Sequence, residues 1–270
     1  MAVVQELFVY PFKSARGIAR STARLTAMGF EWDRQWMAVD AQGTFVSQRT
    51  HPHLAQVAPV IADDTLTLTA PGLEPLQLPL APMGTALTVR VWNDRCSGLD
   101  QGDAAAEWIS RAVGDVLRIV RQAPLLDRRA DRKFAGAEPP PVSFVDAYPF
   151  LVCNLASLAD LNARMPEAIP MERFRPNIVL TGLAAFEEDR IETLHIGAIT
   201  LRLVKACTRC SITSTDQKSG ARSTNPLPVL RAFRFNRELL GVTFGENAIA
   251  HAGIGLSIAR GAECLTRARA

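Results

Sequence analysis

Short apolar runs, alternating with polar positions and cut by turn residues, dominate the chain. Val3–Tyr10 is β-branched and aromatic and is stopped by Pro11, which predicts a strand. Trp36–Asp40 and Thr44–Ser47 flank Ala41-Gln42-Gly43 and predict a hairpin. Leu54–Ile61 and Leu66–Leu68 continue the pattern around the turn residues Asp63-Asp64, and Ala86–Trp92 is a further expected strand. The Ala-rich stretch Ala104–Ala112 predicts a helix, with Asp103 as N-cap and Gly114 beyond the last turn. Leu117–Gln122 returns to strand character.

The charge-dense Asp127–Lys133 and the stretch Glu138-Pro139-Pro140-Pro141, which cannot hold regular structure, mark a boundary near residues 125–140. Two domains are therefore expected, 1–125 and 126–270. In the second, Asn154 caps a helix running to Met165, with Leu155, Leu158 and Leu161 on one face. Ile178–Leu180, Thr193–Ile196 and Thr200–Val204 read as strands, with Gly197 at a turn, and Ser211–Thr215 as another. Pro226–Arg231 and Thr243–Ala250 lead to a last β element at Gly253–Ser257. Few long helices and many short strands predict a mainly β, barrel-like (α+β) build with accessory helices.

Composition narrows the class without naming a function. The 270 residues are enough for a sizeable core. A net charge of +3 is too small to argue for a nucleic acid or a membrane surface as partner. No run reaches the roughly 18 apolar residues of a membrane span. The N-terminus has no basic region ahead of its apolar stretch, so a secretory signal is not expected and a cytoplasmic location is. The five cysteines are odd in number and scattered, which argues against a disulfide framework. Cys96, Cys153 and Cys264 are expected to be small buried hydrophobes.

The most informative stretch is Ala206-Cys207-Thr208-Arg209-Cys210. A CxxC pair reads as half a zinc site, but zinc needs two more ligands. It also reads as a thioredoxin-like redox pair, although β-formers rather than a helix follow it, or as two cysteines packed at a strand end. Arg209 favours a fourth reading, a single reactive thiolate stabilised by a neighbouring guanidinium and suited to a soft or high-valent metal.

Several segments, in order and spacing, are similar to the MOSC family, in the branch that contains the mitochondrial amidoxime reducing component and bacterial YcbX-like proteins. They are Tyr10-Pro11-Phe12-Lys13-Ser14, Asp33-Arg34-Gln35-Trp36, Ser47-Gln48-Arg49 with His51-Pro52, Cys96-Ser97-Gly98-Leu99-Asp100, Asp146 with Pro149-Phe150-Leu151, Phe174-Arg175-Pro176-Asn177-Ile178, and the Cys207–Cys210 stretch. The resemblance implies a MOSC N-terminal β-barrel packed on a C-terminal MOSC barrel, with a molybdenum cofactor of the molybdopterin type between them. It makes Cys210 the metal ligand and catalytic residue, with Arg209 beside it. Cys207 becomes a packed bystander. It makes Lys13, Ser14, Arg34, Asp146, Arg175, Asn177, Thr208 and Arg209 cofactor-binding residues, and it carries a family-level association with pyridoxal phosphate.

The activity the resemblance implies is reduction of small N-hydroxylated compounds by oxygen transfer to molybdenum; the alternative is a sulfur-carrier or cofactor-handling protein without turnover. The bacterial relatives often carry a C-terminal iron–sulfur domain. After Cys210 only Cys264 remains here, whereas such a cluster takes four thiolates. Electrons are therefore expected from a separate protein: a ferredoxin, a flavoprotein reductase or a cytochrome b5-like partner. Arg49 and His51 fall in matched segments without an assigned contact. Tyr148 stands where relatives have a small polar residue, which would narrow the substrate mouth.

Overall fold

The computed structural model describes residues 1–125 and 127–269. Its centre is a barrel of seven strands. In barrel order these are Phe150–Asn154, Ile178–Thr181, Ala2–Val9, Glu263–Ala268, Ile191–Ile196, Ile199–Thr208 and Gly241–Ala252, and the last pairs back to the first. All pairings but one are antiparallel. The exception joins Phe150–Asn154 to Ile178–Thr181, and helix Leu155–Ala163 lies on the connection between them.

Alternation decides what fills the barrel. Val4, Leu7, Val152, Ile178, Leu180, Leu194, Leu201 and Ala248 form one buried cluster. The intervening Phe8, Leu151, Cys153 and Val179 face the other way and are covered by helices Leu155–Ala163 and Leu227–Arg234. This is why Ile178-Val179-Leu180 is apolar without interruption: both faces of that strand are buried.

The first strand belongs to this barrel, pairing with Ile178–Thr181 and with Cys264 and Glu263, although six of the seven strands follow residue 149. Between the first strand and the rest lies a second layer. One sheet has the order Trp36–Val39, Arg118–Gln122, Asp94–Asp100, Thr85–Val91. Next to it are a three-stranded meander, Ala58–Ala62, Thr65–Thr69 and Leu76–Pro79, and helix Asp103–Val113. Phe12, Trp36, Leu54, Leu66, Ile109 and Ile119 share their core. The mainly β fold with accessory helices is as expected from the sequence.

Local structure departs from the sequence pattern at several points. Leu54–Ile61 is not one strand: Pro52 opens a short 3-10 helix, Pro52–Gln56, and the strand starts at Ala58. Ser211–Thr215 is not a strand either. It is the 3-10 turn Ser211–Ser214, in which the Thr213 hydroxyl donates to Cys210 O at 2.9 Å and the Ser214 hydroxyl to Ser211 O at 2.7 Å. Such local bonds compete with a ladder. Gly102, not Asp103, stands at the cap of the first helix, and Asp103 instead pairs with Arg118 at 2.9 Å. The strands Asp94–Asp100, Phe150–Asn154 and Glu263–Ala268 were not legible in the pattern. A division between 125 and 126 abuts Leu126, which lies outside the described residues. Beyond it, Asp131 caps a short helix, Arg132–Ala135. No helix among the described residues is long and apolar enough to cross a membrane.

Candidate active site

One cleft of about 400 Å³ collects every residue singled out above as a site residue: Lys13, Ser14, Arg34, Asp146, Arg175, Asn177, Thr208, Arg209 and Cys210 all line it. Segments far apart in sequence build it. Lys13 and Ser14 follow the first barrel strand directly, and the Lys13 amide donates to Trp36 O at 2.7 Å. Thr208 and Arg209 leave the end of the long strand Ile199–Thr208. Arg175 ends the 3-10 turn Met171–Phe174.

Backbone strain collects here. Eight non-glycine residues among those described have positive φ, and four of them line the cleft: Ser14 (66°), Arg34 (49°), Trp92 (56°) and Arg175 (57°). Side chains disfavour this region, and such strain persists where the surroundings impose it, often at functional sites.

Along one side of the cleft, the Arg34 and Arg175 guanidinium carbons lie 4.3 and 4.4 Å from the centre of the Tyr10 ring. Two like charges on one ring repel. The ring's quadrupole and the buried Asp33 carboxylate, which Arg34 pairs with, offset that. Arg175 Nη1 donates to Ala15 O at 2.6 Å and to Gln217 Oε1 at 3.2 Å, while its Nη2 is buried and unpaired. Burial pushes the Arg175 pKa down to about 10. Asn177 is fully occupied within the protein. Its Oδ1 accepts from Arg34 at 3.0 Å and from the Leu151 amide at 3.2 Å, and its Nδ2 donates to Asp33 at 3.1 Å and to Phe8 O at 3.3 Å. It positions Arg34 and Asp33.

Elsewhere on the cleft wall, Asp146 is a hub. Its Oδ1 accepts from Lys13 Nζ at 2.5 Å and from Trp92 Nε1 at 3.3 Å, and its Oδ2 from Arg49 at 3.0 Å. Lys13 also donates to Phe144 O at 2.7 Å. Burial pulls the Lys13 pKa down to about 8, with Asp146 working against the drop. For Asp146, burial would raise the pKa, but Lys13 and Arg49 outweigh it and hold the carboxyl well below its usual range.

The two cysteines differ in their partners. Arg209 Nη1 donates to Cys207 Sγ at 2.9 Å and its Nη2 to Phe174 O at 2.7 Å. Arg209 gives its sulfur hydrogen bond to Cys207 rather than to the adjacent Cys210, because a strand-end residue and its second neighbour project to the same side. Cys207 is half-buried and lines the cleft, so it is not a sealed bystander. Arg49 lines the cleft together with Cys210 and donates to Asp146 Oδ2 at 3.0 Å and to the Ser47 hydroxyl at 3.3 Å. Burial lowers the Arg49 pKa, and Asp146 followed by Cys210 outweighs that and raises it. Arg222 pins this arrangement, donating to Gln48 O (2.7 Å) and Arg49 O (2.8 Å) from one side and to Ser211 O (2.6 Å) from the other. Cys96, Cys153 and Cys264 are buried, as expected.

Sequence reasoning missed Arg49, Trp92 and Lys205 as cleft residues. His51 instead pairs with Asp115 at 2.9 Å and is not among the lining residues. Among the described residues no three His, Cys, Asp or Glu side chains converge on a common metal position, so a metal here would rest on Cys210 and on ligands it brings with it. Six cations line the cleft (Lys13, Arg34, Arg49, Arg175, Lys205, Arg209) against one carboxylate, Asp146. Buried charge wants a partner, and Arg175 Nη2 has none in the protein. The donor set fits a polyanionic group carrying its own metal, with a soft sulfur to complete the coordination.

Comparison with known proteins follows the same lines. A family model for the MOSC N-terminal beta barrel domain matches residues 1–116, and one for the MOSC domain matches residues 139–260. Mitochondrial amidoxime-reducing component 1 of Mus musculus is 36% identical over 244 residues, an alignment covering 87% of this chain and 72% of that protein. Mitochondrial amidoxime reducing component 2 of Bos taurus is 35% identical, with 87% and 73% covered. Component 1 of Homo sapiens is 35% identical, with 87% and 72% covered.

Proposed function

Since the chain belongs to the MOSC family, with a MOSC N-terminal barrel domain and a MOSC domain, we propose that it is a molybdenum-cofactor-dependent oxidoreductase that reduces N-hydroxylated compounds. The observation that carries this reading is the joining, in one cleft, of a half-buried cysteine and a surplus of cations with an unpaired buried donor. The amidoxime-reducing names of the relatives supply the reaction class.

The cofactor, when bound, supplies two-electron oxygen-transfer chemistry at molybdenum. This chain's residues bind and orient it. Cys210 is its protein ligand. Arg175, through Nη2, together with Arg34 and Lys13 grips the anionic end, with hydroxyls from Ser14 and Thr208. Arg49 braces Asp146, and Asp146 keeps Lys13 charged and fixed. Arg209 orders the strand end through Phe174 O and keeps Cys207 paired. Each turnover consumes two electrons and two protons and releases the reduced amine or amidine and water. The electrons come from a separate protein: a ferredoxin, a flavoprotein reductase or a cytochrome b5-like partner. Cytoplasmic location belongs to the same proposal. The pyridoxal phosphate association has no support in the site or in the relatives' names.

The test is elemental analysis and turnover on protein expressed with ample molybdate. The expected result is about one molybdenum per chain and reduction of benzamidoxime by a viologen donor. Stoichiometric molybdenum without turnover would instead support the cofactor-handling or sulfur-carrier alternative, and protein free of molybdenum would refute both.

A further inference from the structure

We infer that Trp92 is a stacking platform that makes the site selective for flat, conjugated N-hydroxylated substrates over aliphatic ones. The inference rests on the proposed reductase reading and adds to it a substrate class and the residue that selects it.

Three aromatic side chains line the cleft: Trp92, Tyr148 and Phe174. Phe174 is fully buried and stacked on Phe244 at 4.0 Å, and Tyr148 is 5% exposed, so neither ring offers a free face. Trp92 is 45% exposed. An indole left that open in a concave site is apolar surface that a ligand would remove from water.

Asp146, Arg49 and Phe45 contact the ring. Its Nε1 donates to Asp146 at 3.3 Å, and both oxygens of that carboxylate are fixed, by Lys13 and by Arg49. The Arg49 guanidinium lies 4.6 Å from the ring centre, and Phe45 meets the ring edge-on at 5.0 Å. The Trp92 backbone stays in the left-handed region, at φ 56°, where a bulky side chain is disfavoured. The hydrogen bond and the cation over the ring orient an indole that stays 45% exposed. Trp92, the Arg49 that packs on it and Cys210 all line the same cleft.

Stacking is tolerant of what is stacked, because every conjugated ring has a π face. A benzamidoxime or an N-hydroxylated purine can lie on the indole with its N–O group toward Cys210. An acetamidoxime has no ring to stack. Tyr148 and Phe174 give the cleft shape, and Trp92 gives it preference.

The test compares benzamidoxime with acetamidoxime on molybdenum-loaded wild type, Trp92→Phe and Trp92→Leu. Trp92→Leu is expected to raise KM for benzamidoxime about tenfold (~1.4 kcal/mol), to change kcat far less, and to cut the benzamidoxime-to-acetamidoxime preference at least fivefold. Trp92→Phe, which keeps a ring, is expected to retain most of the preference. Equal losses on both substrates, or an unchanged preference, would overturn the platform. Calorimetric titration of benzamidoxime and acetamidoxime into the same proteins separates this failure from failure of the reductase reading. Should the wild type turn over neither amidoxime, the reductase reading falls. The platform then stands if benzamidoxime binds wild type at least fivefold tighter than Trp92→Leu, and falls if it does not.

Discussion

Arg175→Met separates the cost of a charge in the empty protein from its value with a ligand. Arg175 is 9% exposed, and burial holds its pKa at about 10 against an ordinary 12.5. At 1.36 kcal/mol per tenfold change in proton affinity, keeping it charged costs about 3 kcal/mol. Methionine removes that cost, fills similar volume and packs its thioether on the Tyr10 ring. It also removes the donor for Ala15 O and Gln217 Oε1, and a stranded buried acceptor costs about 1–3 kcal/mol. The terms nearly cancel. The cofactor-free variant is expected to stay within about 2 kcal/mol of the parent, which for a chain of this size is a Tm shift of at most about 8 °C. With the cofactor the balance reverses. Two charge-assisted hydrogen bonds to an anion are worth about 3–5 kcal/mol together, so retention weakens by at least about 100-fold. The assay is thermal unfolding of protein from a cofactor-deficient host, beside molybdenum content of loaded protein after exhaustive dialysis. A cofactor-free variant that melts more than about 15 °C lower, alongside undiminished molybdenum in the loaded variant, would make Arg175 a scaffold residue and refute the reasoning.

Cys210→Ala is expected to lose molybdenum and activity with the fold intact by circular dichroism, and Cys207→Ala to lose less than about threefold; equal loss would return the pair to a dithiol or zinc reading. Asp146→Asn strands the buried Lys13 ammonium without its carboxylate and frees Trp92 and Arg49. Because Asp146 is half-exposed, the loss in urea unfolding is expected near 2 kcal/mol, below the value for a fully buried pair. Glu246 is buried, and burial pushes its pKa up to about 7 with only Arg269 opposing strongly. The folded state therefore binds its proton more tightly than the unfolded one. That stability is fully present below about pH 4.5 and is lost as pH rises through 7. Glu246→Gln is expected to stabilise the protein by about 2–3 kcal/mol at pH 8 and by little at pH 4.5, and an equal effect at both would refute the titration.

The sequence made the chemistry legible sooner than the geometry. Lys13, Arg34, Arg175 and Cys210 sit in short segments that match one family in order and spacing, so the resemblance, rather than the residue types, implied an anion and a metal. Arg49 escaped because its role lies in a partner at residue 146, and no local pattern reports so distant a contact. Trp92 escaped for another reason. It follows the last residue of an apolar alternation, Thr85–Val91, where a core tryptophan would look the same. The strand Phe150–Asn154 was hidden because both its faces are buried, which removes the alternation that announces a strand. Ser211–Ser214 misled in the opposite direction, since its β-forming residues use their hydroxyls to close a turn.

Where the cleft residues are anchored separates two tasks. Lys13 and Ser14 follow a barrel strand, Arg175 and Asn177 frame another, and Arg209 and Cys210 end a third. Arg34 is tied to the same frame through Tyr10 O, Asn177 and Arg175 O. These residues therefore move with the barrel, and the strain at Ser14, Arg34 and Arg175 can be borne because the closed sheet determines their backbone. Arg49 and Trp92 come from the second layer, joined to the barrel through the reciprocal Gln48–Gln217 amide pair at 2.9 and 3.0 Å and through Arg222. The residues proposed to grip an anion thus stand on the barrel frame, and Trp92 and Arg49 stand on loops of the second layer. A change at Trp92 can alter what is accepted without loosening the cradle, whereas a change in the barrel frame, at Asn177 for example, alters the cradle first. Molybdenum content and substrate preference are therefore separable readouts: Asn177→Ala should lower the first, and Trp92→Leu should alter the second alone.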